Sequence, residues 1–313
     1  MQGIHYELWA RCQRIVGDRC GSRGASHGVS HMQRVTEQAI LLYSMAPDGK
    51  LSSPEACLDL YGIILVAMLH DLADHKYDPH GDLYLSLHDF VSQEAAHWIH
   101  LATAPSPPQS LDVMALNRVG DASITQEGSL FSKQDVQMLL QEGVDGLCSR
   151  IIGCIQAISY STETKRGLRW YEQVLPPRWQ MIRNIVSDAD KLEAIGEEGL
   201  QRCYAYVCEK YQERSSTKHH DESSSEAPEA VSALQDKVRI KNLEQILLKD
   251  VSTHYEEKLS RLASLFIVTP AGKFLAAPRH DAMARLLAEW QLRGPPPVAS
   301  HWPDAARDGC GDG

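Results

Sequence analysis

The sequence predicts an all-α fold, and two observations support this class. Apolar residues recur at helical spacing through most of the chain, and no stretch shows the alternating pattern, bounded by turn residues, that is typical of strands. The 313 residues, 43% of them apolar, can bury a sizeable core. The predicted helices span residues 3–17, 29–46, 54–73, 82–101, 133–142, 146–159, 178–193, 195–212, 235–267 and 278–292.

Two of these helices have a start signal. Ser30 precedes an amphipathic stretch whose apolar residues recur at helical spacing up to Leu42. Ser53 followed by Pro54 is typical of a helix cap with proline in the first turn. The helix that follows Pro54 has no polar face, so we expect it to be buried on most sides.

Proline, serine and charge interrupt the helical pattern in three places. We expect one helical domain over residues 1–212 with a surface insertion at about 103–132, and a low-complexity loop over 213–232. The helices of 233–292 should pack on that domain, and 293–313 should form a disordered tail.

The net charge and the cysteines restrict the classes of partner. A formal charge of -10 argues against a duplex nucleic acid as partner, because such binding depends on phosphate neutralisation. No apolar run approaches 18 residues, and no leader peptide precedes the first helix, so we expect neither a membrane partner nor secretion. The eight cysteines form no CxxC pair, which favours free thiols in a cytoplasmic protein.

The stretch LVAMLHDLADHKYD, residues 65–78, places charge at the end of the apolar helix. Burying the ionised Asp71 carboxylate without a partner costs several kcal/mol, or raises its pKa until the carboxylate takes up a proton and becomes neutral. A divalent cation bound by His70 and Asp71 would remove that penalty. If the helix continues, Asp74 returns to the side of His70 one turn later.

Two distant stretches also have ionisable residues at positions where the helical pattern predicts buried apolar ones. In SHGVSHMQRVTEQAI, residues 26–40, His31 stands in the first turn of an amphipathic helix. In NIVSDADKLEAIG, residues 184–196, Asp188 and Asp190 interrupt an apolar pattern. A histidine–aspartate pair alone is a weak metal signal, because such histidines more often cap a helix or make a hydrogen bond.

The order of these motifs, SH-x-x-RV, a buried helix ending in HD, and DADKL, resembles the HD superfamily of metal-dependent phosphohydrolases. HDLADHKYD, AISYSTETKRG (157–167), SDADKLEAIG and the late stretch HYEEKL…LLAEW (254–290) are similar to a subgroup of bacterial and fungal HD hydrolases. That subgroup includes manganese-dependent nucleoside triphosphate pyrophosphohydrolases. The resemblance, which runs with gaps from about residue 26 to residue 292, implies an HD-domain helical bundle with a helical C-terminal extension and a long surface insertion.

The resemblance implies four protein ligands for one divalent transition metal: His31, His70, Asp71 and Asp190. Mn²⁺ is the expected ion, and this mixed nitrogen and oxygen set leaves Fe, Co, Ni and Zn open. His27 competes with His31, and Asp188 with Asp190. In the preferred assignment His27 and Asp188 do not bind the metal but contact the residues that do. Asp188 could instead pair with a helix N terminus.

Asp74 matches the acidic residue that orients the attacking water in related enzymes; the alternative is a surface ion pair with Lys76. A polyphosphate needs cations beyond one metal. The expected phosphate contacts, each of which could instead be a solvated charge, are His75, Lys76, Lys165, Arg166 and Lys191.

The chain departs from the resemblance in three places. Ser159 stands where many relatives have a histidine, which puts a second-metal or proton-transfer role in doubt, and Thr162 stands where a lysine is frequent. The insertion that spans roughly 79–145 is longer than usual and could cover the pocket.

The expected partner is a small phosphorylated substrate, a nucleotide above all, and a homodimer is left open. The favoured activity converts a nucleoside triphosphate to its monophosphate and pyrophosphate. One alternative is a phosphomonoesterase acting on nucleoside monophosphates or small phosphorylated metabolites. Another is a non-catalytic, metal-stabilised module that binds a nucleotide or a protein.

Overall fold

The part of the chain that the structure describes is helical. A computed structural model describes residues 1–21, 23, 28–47, 51, 53–74, 77–104, 131–216 and 229–296. Over these residues the secondary structure consists of α-helices with short 3-10 and π segments, without a strand, which confirms the predicted all-α class. The chain divides into two compact units, Met1–Ser187 and Asp188–Gly313.

The first unit is built around α3. Its helices are α1 (Gly3–Cys20), α2 (Val29–Ser44), α3 (Pro54–Leu69), α4 (Asp82–Thr103), α5 (Lys133–Ile158) and α6 (Tyr160–Arg166). A 3-10 turn at Trp170–Gln173 follows, and α7 (Pro177–Ala194) starts in this unit. Helix α3 packs against α1, α2 and α5. Its apolar residues, from Leu58 to Leu69, are buried as the sequence predicts.

The start of α3 has the predicted cap. The Ser53 hydroxyl accepts a hydrogen bond from the Ala56 amide at 3.2 Å, and Pro54 occupies the first turn. The start of α2 differs from the expectation, because Gly28 is its N-cap and Ser30 lies inside the first turn. His31 is therefore a helical residue of α2.

Arg178 of α7 joins three other helices of the first unit. Its guanidinium donates to Asp59 of α3 at 2.6 Å and to Asp135 of α5. Tyr43 of α2 donates to the same Asp59 carboxylate at 2.9 Å. This shared network links α2, α3, α5 and α7, and shifting any one of them would break a charge-assisted hydrogen bond.

The second unit contains the end of α7, α8 (Glu197–Ser216), α9 (Glu229–His254) and α10 (Pro270–Arg293). Two π-helical segments, Tyr255–Leu259 and Leu262–Phe266, follow α9. Helix α8 packs against α9 and α10.

Several helix bounds differ from the sequence prediction. Residues 133–158 form one element, but Gly143 (φ 64°) breaks it close to the predicted gap between two helices. Helix α6 and the following 3-10 turn were not predicted. Helix α10 begins at Pro270 rather than at Pro278, which lies inside it. The predicted helix over 235–267 begins at Glu229 and becomes π-helical at Tyr255.

Much of the three irregular stretches lies outside the described residues. These parts are residues 105–130 of the insertion, 217–228 of the low-complexity loop and 297–313 of the tail. Helices α8 and α9 extend to Ser216 and back to Glu229, into the ends of the predicted loop.

The cysteines that the structure describes are free thiols, in line with the composition: 12, 20, 57, 148, 154, 203 and 208. Among the described helices, none combines the length and the apolar content that crossing a bilayer requires.

His5 is a buried histidine at the contact between α1 and α3. Its Nδ1 accepts a hydrogen bond from the Gln2 amide at 3.1 Å, so its Nε2 bears the proton and donates to the Cys57 carbonyl at 3.0 Å. This neutral tautomer satisfies both ring nitrogens. Burial lowers the pKa of His5 below its usual 6.5 and outweighs the opposing effect of the Cys57 carbonyl.

We predict that His5 makes the protein less stable in mild acid. The unfolded chain binds the proton at higher pH than the folded one, so the free energy of unfolding should fall as pH drops below about 6.5. His5→Gln should reduce this slope by up to about 1.4 kcal/mol per pH unit. Urea unfolding between pH 5 and 8 with a chelator present measures it. His97→Gln, at an exposed position on α4, is the control, and equal slopes in wild type and His5→Gln would contradict the prediction.

Candidate metal centre

Helices α2 and α3 bring His31 and His70 together. The two helices pack antiparallel, so the first turn of α2 lies beside the end of α3. The two imidazole rings are 5.3 Å apart between centroids at an interplanar angle of 64°. Ligand atoms of His31, His70 and Asp71 all lie within 4.8 Å of one another. These three predicted ligands therefore form one group.

The hydrogen bonds of His70 determine which ring nitrogen can bind a metal. His70 Nδ1 lies 2.8 Å from the Ala67 carbonyl oxygen, so Nδ1 bears the proton and donates. A histidine whose other nitrogen donates to a backbone carbonyl is the usual arrangement at metal sites. The unprotonated Nε2 lies 3.7 Å from one oxygen of Asp71.

The two histidine–aspartate distances are short enough for a shared ion. His31 Nε2 lies 3.8 Å from the other oxygen of Asp71. Bonds from such metals to nitrogen or oxygen are about 2.1 Å long, so two ligands of one ion lie at most about 4.2 Å apart. Both histidine–aspartate distances are within this limit. Two imidazoles and a carboxylate are donors that suit Mn, Fe, Co, Ni or Zn.

The exposure of the three side chains favours binding from one side. The side chains of His31 and His70 are 6% and 2% exposed, whereas that of Asp71 is 18% exposed. The rings are thus fixed by the packed core, while the carboxylate remains partly open to solvent. Such a group can hold an ion and still admit a ligand from outside.

Helix α3 ends earlier than predicted, at Leu69, and His70 is its C-cap. Residues 71–73 form a turn in which the Leu72 amide donates to Leu69 at 3.0 Å and the Asp74 amide to Asp71 at 3.3 Å. The carbonyls of Asp71 and Leu72, beyond the last residue of α3, also accept hydrogen bonds from Arg23. Asp74 is half-buried next to this turn, and its role stays a prediction.

A buried ion pair fixes the segment AISYSTETKRG beside the end of α5. Glu163 of α6 and Arg183 of α7 are 1% and 0% exposed, and their N–O distance is 2.7 Å. Arg183 also donates to the Ala157 carbonyl at 2.7 and 3.0 Å and stacks on Tyr171 with 3.8 Å to the ring centroid. Arg183 Nη1 donates to Asn184 at 3.2 Å, so each of the three guanidinium nitrogens has a hydrogen-bond acceptor.

The cations predicted on this segment are at its surface. Lys165 and Arg166 are exposed in the last turn of α6, and Arg166 lies over the Trp170 ring at 4.4 Å. Ser159 is the N-cap of α6, with its hydroxyl accepting from the Thr162 amide at 3.4 Å. Ser159, which stands where the sequence resemblance leads us to expect a histidine, thus starts a helix.

Asp188 binds the N terminus of α10 within the second unit. Its carboxylate accepts hydrogen bonds from the Thr269 amide and hydroxyl, both at 2.7 Å, and from the Val268 amide at 3.0 Å. A Cβ at Gly272 would lie 2.5 Å from an Asp188 oxygen, so this approach requires glycine. Burial raises the pKa of Asp188 despite these hydrogen bonds. The contact is the helix N-terminal partnership that the sequence left open for Asp188.

The remaining predicted site residues stay predictions. Asp190, half-buried, and Lys191, 3% exposed, belong to the second unit. His27, His75 and Lys76 lie outside the described residues. Arg23, Glu163 and Arg183 were missed, because no local pattern in the sequence distinguishes them from surface charges.

Comparison with known proteins finds similar solved structures. No protein-family model and no curated protein matches the chain. Bacillus subtilis YpgQ is 17% identical with a TM-score of 0.42, over 94% of this chain and 99% of that one. The structure of the same protein in complex with ADP is 16% identical with a TM-score of 0.42, over 95% of this chain and 99% of that one. A Lactobacillus plantarum protein is 18% identical with a TM-score of 0.46, over 91% of this chain and 96% of that one. The function proposed below therefore rests on the residues of this chain.

We predict that a divalent metal stabilises the folded protein through His31, His70 and Asp71. A ligand of the folded state at 100 times its Kd adds about 2.7 kcal/mol, which should raise Tm by about 5–10 °C. Thermal unfolding of chelator-treated protein with and without Mn²⁺ measures the shift. His70→Gln should abolish it, whereas His88→Gln, at an exposed position on α4, should keep it. An equal shift in both variants would exclude this centre.

We predict that Glu163→Met destabilises the protein by about 3–5 kcal/mol, because it leaves the Arg183 charge buried without its partner. Glu289→Met breaks an exposed pair, with Arg293 79% and Glu289 53% exposed, and should cost less than about 1 kcal/mol. Urea unfolding of both variants provides the comparison. Similar losses in the two would show that burial adds nothing to the first pair.

Proposed function

We propose that this chain is a metal-dependent phosphohydrolase that acts on nucleotides and converts a nucleoside triphosphate to its monophosphate and pyrophosphate. The observation that supports this most directly is the convergence of His31, His70 and Asp71, from two separate motifs, on one small volume. The order of SH-x-x-RV, HD and DADKL along the chain, with its resemblance to HD phosphohydrolases, supports the reaction class.

In this proposal His31, His70 and Asp71 hold the ion, with Asp190 as a fourth ligand. A divalent ion bound there would lower the pKa of bound water and withdraw charge from a phosphoryl oxygen. The tautomer of His70 supports this use, because its Nδ1 donates to Ala67 and its Nε2 keeps a lone pair. Asp71 contributes the negative charge that binds a cation in preference to a neutral ligand.

Asp74 is proposed to orient the attacking water. Its amide hydrogen bond to the Asp71 carbonyl places it directly after the ligand turn. A carboxylate in that position can accept a hydrogen bond from water and hold its lone pair toward phosphorus. The half-buried environment keeps this carboxylate within reach of solvent.

The substrate phosphates require local cations, since the chain as a whole is acidic, with a formal charge of -10. We propose that the cations of α6, Lys165 and Arg166, contact the phosphates, with Lys191, His75 and Lys76 as further candidates. Charge-assisted hydrogen bonds from such groups would neutralise the charge that develops on the phosphoryl oxygens.

We predict that Asp74→Asn lowers kcat by about 10²-fold or more while metal binding persists, because the amide cannot accept the water proton. The measurement is turnover of a nucleoside triphosphate panel with Mn²⁺, with separate detection of pyrophosphate and phosphate. Metal content and Tm of the same samples show whether the centre and fold are intact. Asp145→Asn removes the same charge from an exposed position on α5 and should leave kcat unchanged.

The products distinguish the proposed activity from its alternatives. Pyrophosphate release supports the proposal. Phosphate release from nucleoside monophosphates, without pyrophosphate from triphosphates, would replace it with a phosphomonoesterase. Metal-loaded wild type that binds nucleotides without any turnover would replace it with a binding module.

A further inference from the structure

We propose that Arg23 is a positioning residue for the metal centre, which holds the Asp71 ligand and the turn to Asp74 in place. This inference rests on the proposed metal centre. Arg23 belongs to neither helix that supplies the ligands, since it lies between the end of α1 and the start of α2.

The first observation is a two-pronged contact with the backbone of the ligand turn. Arg23 Nη1 donates to the Asp71 carbonyl at 2.7 Å, and Nη2 donates to the Leu72 carbonyl at 2.8 Å. These carbonyls follow the end of α3, where helical partners are missing and partial negative charge accumulates. The guanidinium supplies both the donors and the positive charge.

The second observation is that Arg23 also contacts the far side of the turn. Its guanidinium carbon lies over the Tyr77 ring, 4.4 Å from the centroid. The Tyr77 amide donates to the Asp74 carbonyl at 2.8 Å. One side chain thus holds the start of the turn through hydrogen bonds and its end through a cation–π contact.

Asp71 and Asp74 are coupled through one oxygen atom in this arrangement. The Asp71 carbonyl accepts from Arg23 and from the Asp74 amide, at 2.7 and 3.3 Å. Loss of Arg23 would remove two of the hydrogen bonds that hold this turn and would leave the backbone of Asp71 less restrained. Groups that hold a ligand in place typically change metal affinity by about 10–100-fold when they are removed.

The geometry requires arginine rather than any cation. Two adjacent carbonyls and a ring face match the planar fork of a guanidinium, which donates in its plane and stacks on its face. A lysine ammonium is a single point charge and can bridge the carbonyls without stacking in the same way. Lysine at this position should therefore restore only part of the effect.

The chain offers a matched control in Arg11. Its guanidinium makes a two-pronged contact with Glu94, at 2.6 and 2.8 Å, and joins α1 to α4 in the same unit. Arg11→Met removes an arginine with a comparable structural contact but touches none of the three ligands. It reports the effect of lost stability alone.

The experiment compares wild type, Arg23→Met, Arg23→Lys and Arg11→Met, each shown to be folded at the assay temperature. Mn²⁺ affinity is measured by calorimetry, and the absorption spectrum of bound Co²⁺ reports the ligand geometry. We expect Arg23→Met to weaken Mn²⁺ binding by about 10–100-fold and to change the Co²⁺ spectrum. Arg23→Lys should lie between it and wild type, and Arg11→Met should keep both properties.

The possible failures are distinguishable. If wild type binds no Mn²⁺, the proposed metal centre itself is wrong. If wild type binds Mn²⁺ and Arg23→Met matches Arg11→Met in affinity and spectrum, the role of Arg23 is overturned. If Arg23→Met does not fold, Arg23→Lys decides by the same comparison, and wild-type values in that variant would overturn the proposal.

Discussion

The burial of the apolar part of α3, from Leu60 to Leu69, is the constraint on which the rest of the first unit depends. An apolar helix packed against α1, α2 and α5 can end only where the chain returns to polar surroundings. Its last residues therefore place His70 and Asp71 at the edge of the core, beside the first turn of α2. The charge that looks misplaced in the sequence lies at this edge, where two imidazoles and a divalent ion can compensate a carboxylate.

The sequence was sufficient for features that depend on local patterns or on motif order. Helical periodicity predicted the all-α class, and Ser53 with Pro54 marked the start of α3. The convergence of His31 with His70 followed from recognising two short motifs in order, not from periodicity. Even the break near Gly143 was visible, because glycine and charge interrupt the apolar pattern there.

The features that the sequence did not reveal depend on contacts between distant residues. Arg23 stands in a glycine- and serine-rich stretch, and only its contact with the carbonyls of Asp71 and Leu72 distinguishes it. Helix α6 is too short for periodicity to detect. Pro278 suggested a helix start, whereas α10 begins earlier, because Asp188 and Thr269 satisfy its first amides.

The candidate centre combines rigid and adaptable parts. Its three described ligands lie on packed helices or on a turn held by Arg23, so their positions follow from the core. The cations of α6 are exposed, although Glu163 and Arg183 anchor the helix that bears them. If the proposed function holds, substitutions at these exposed positions would alter contacts to a substrate without disturbing the three candidate ligands. The candidate metal group is therefore the part of the proposed centre that the fold determines, whereas the phosphate contacts proposed on α6 are surface residues.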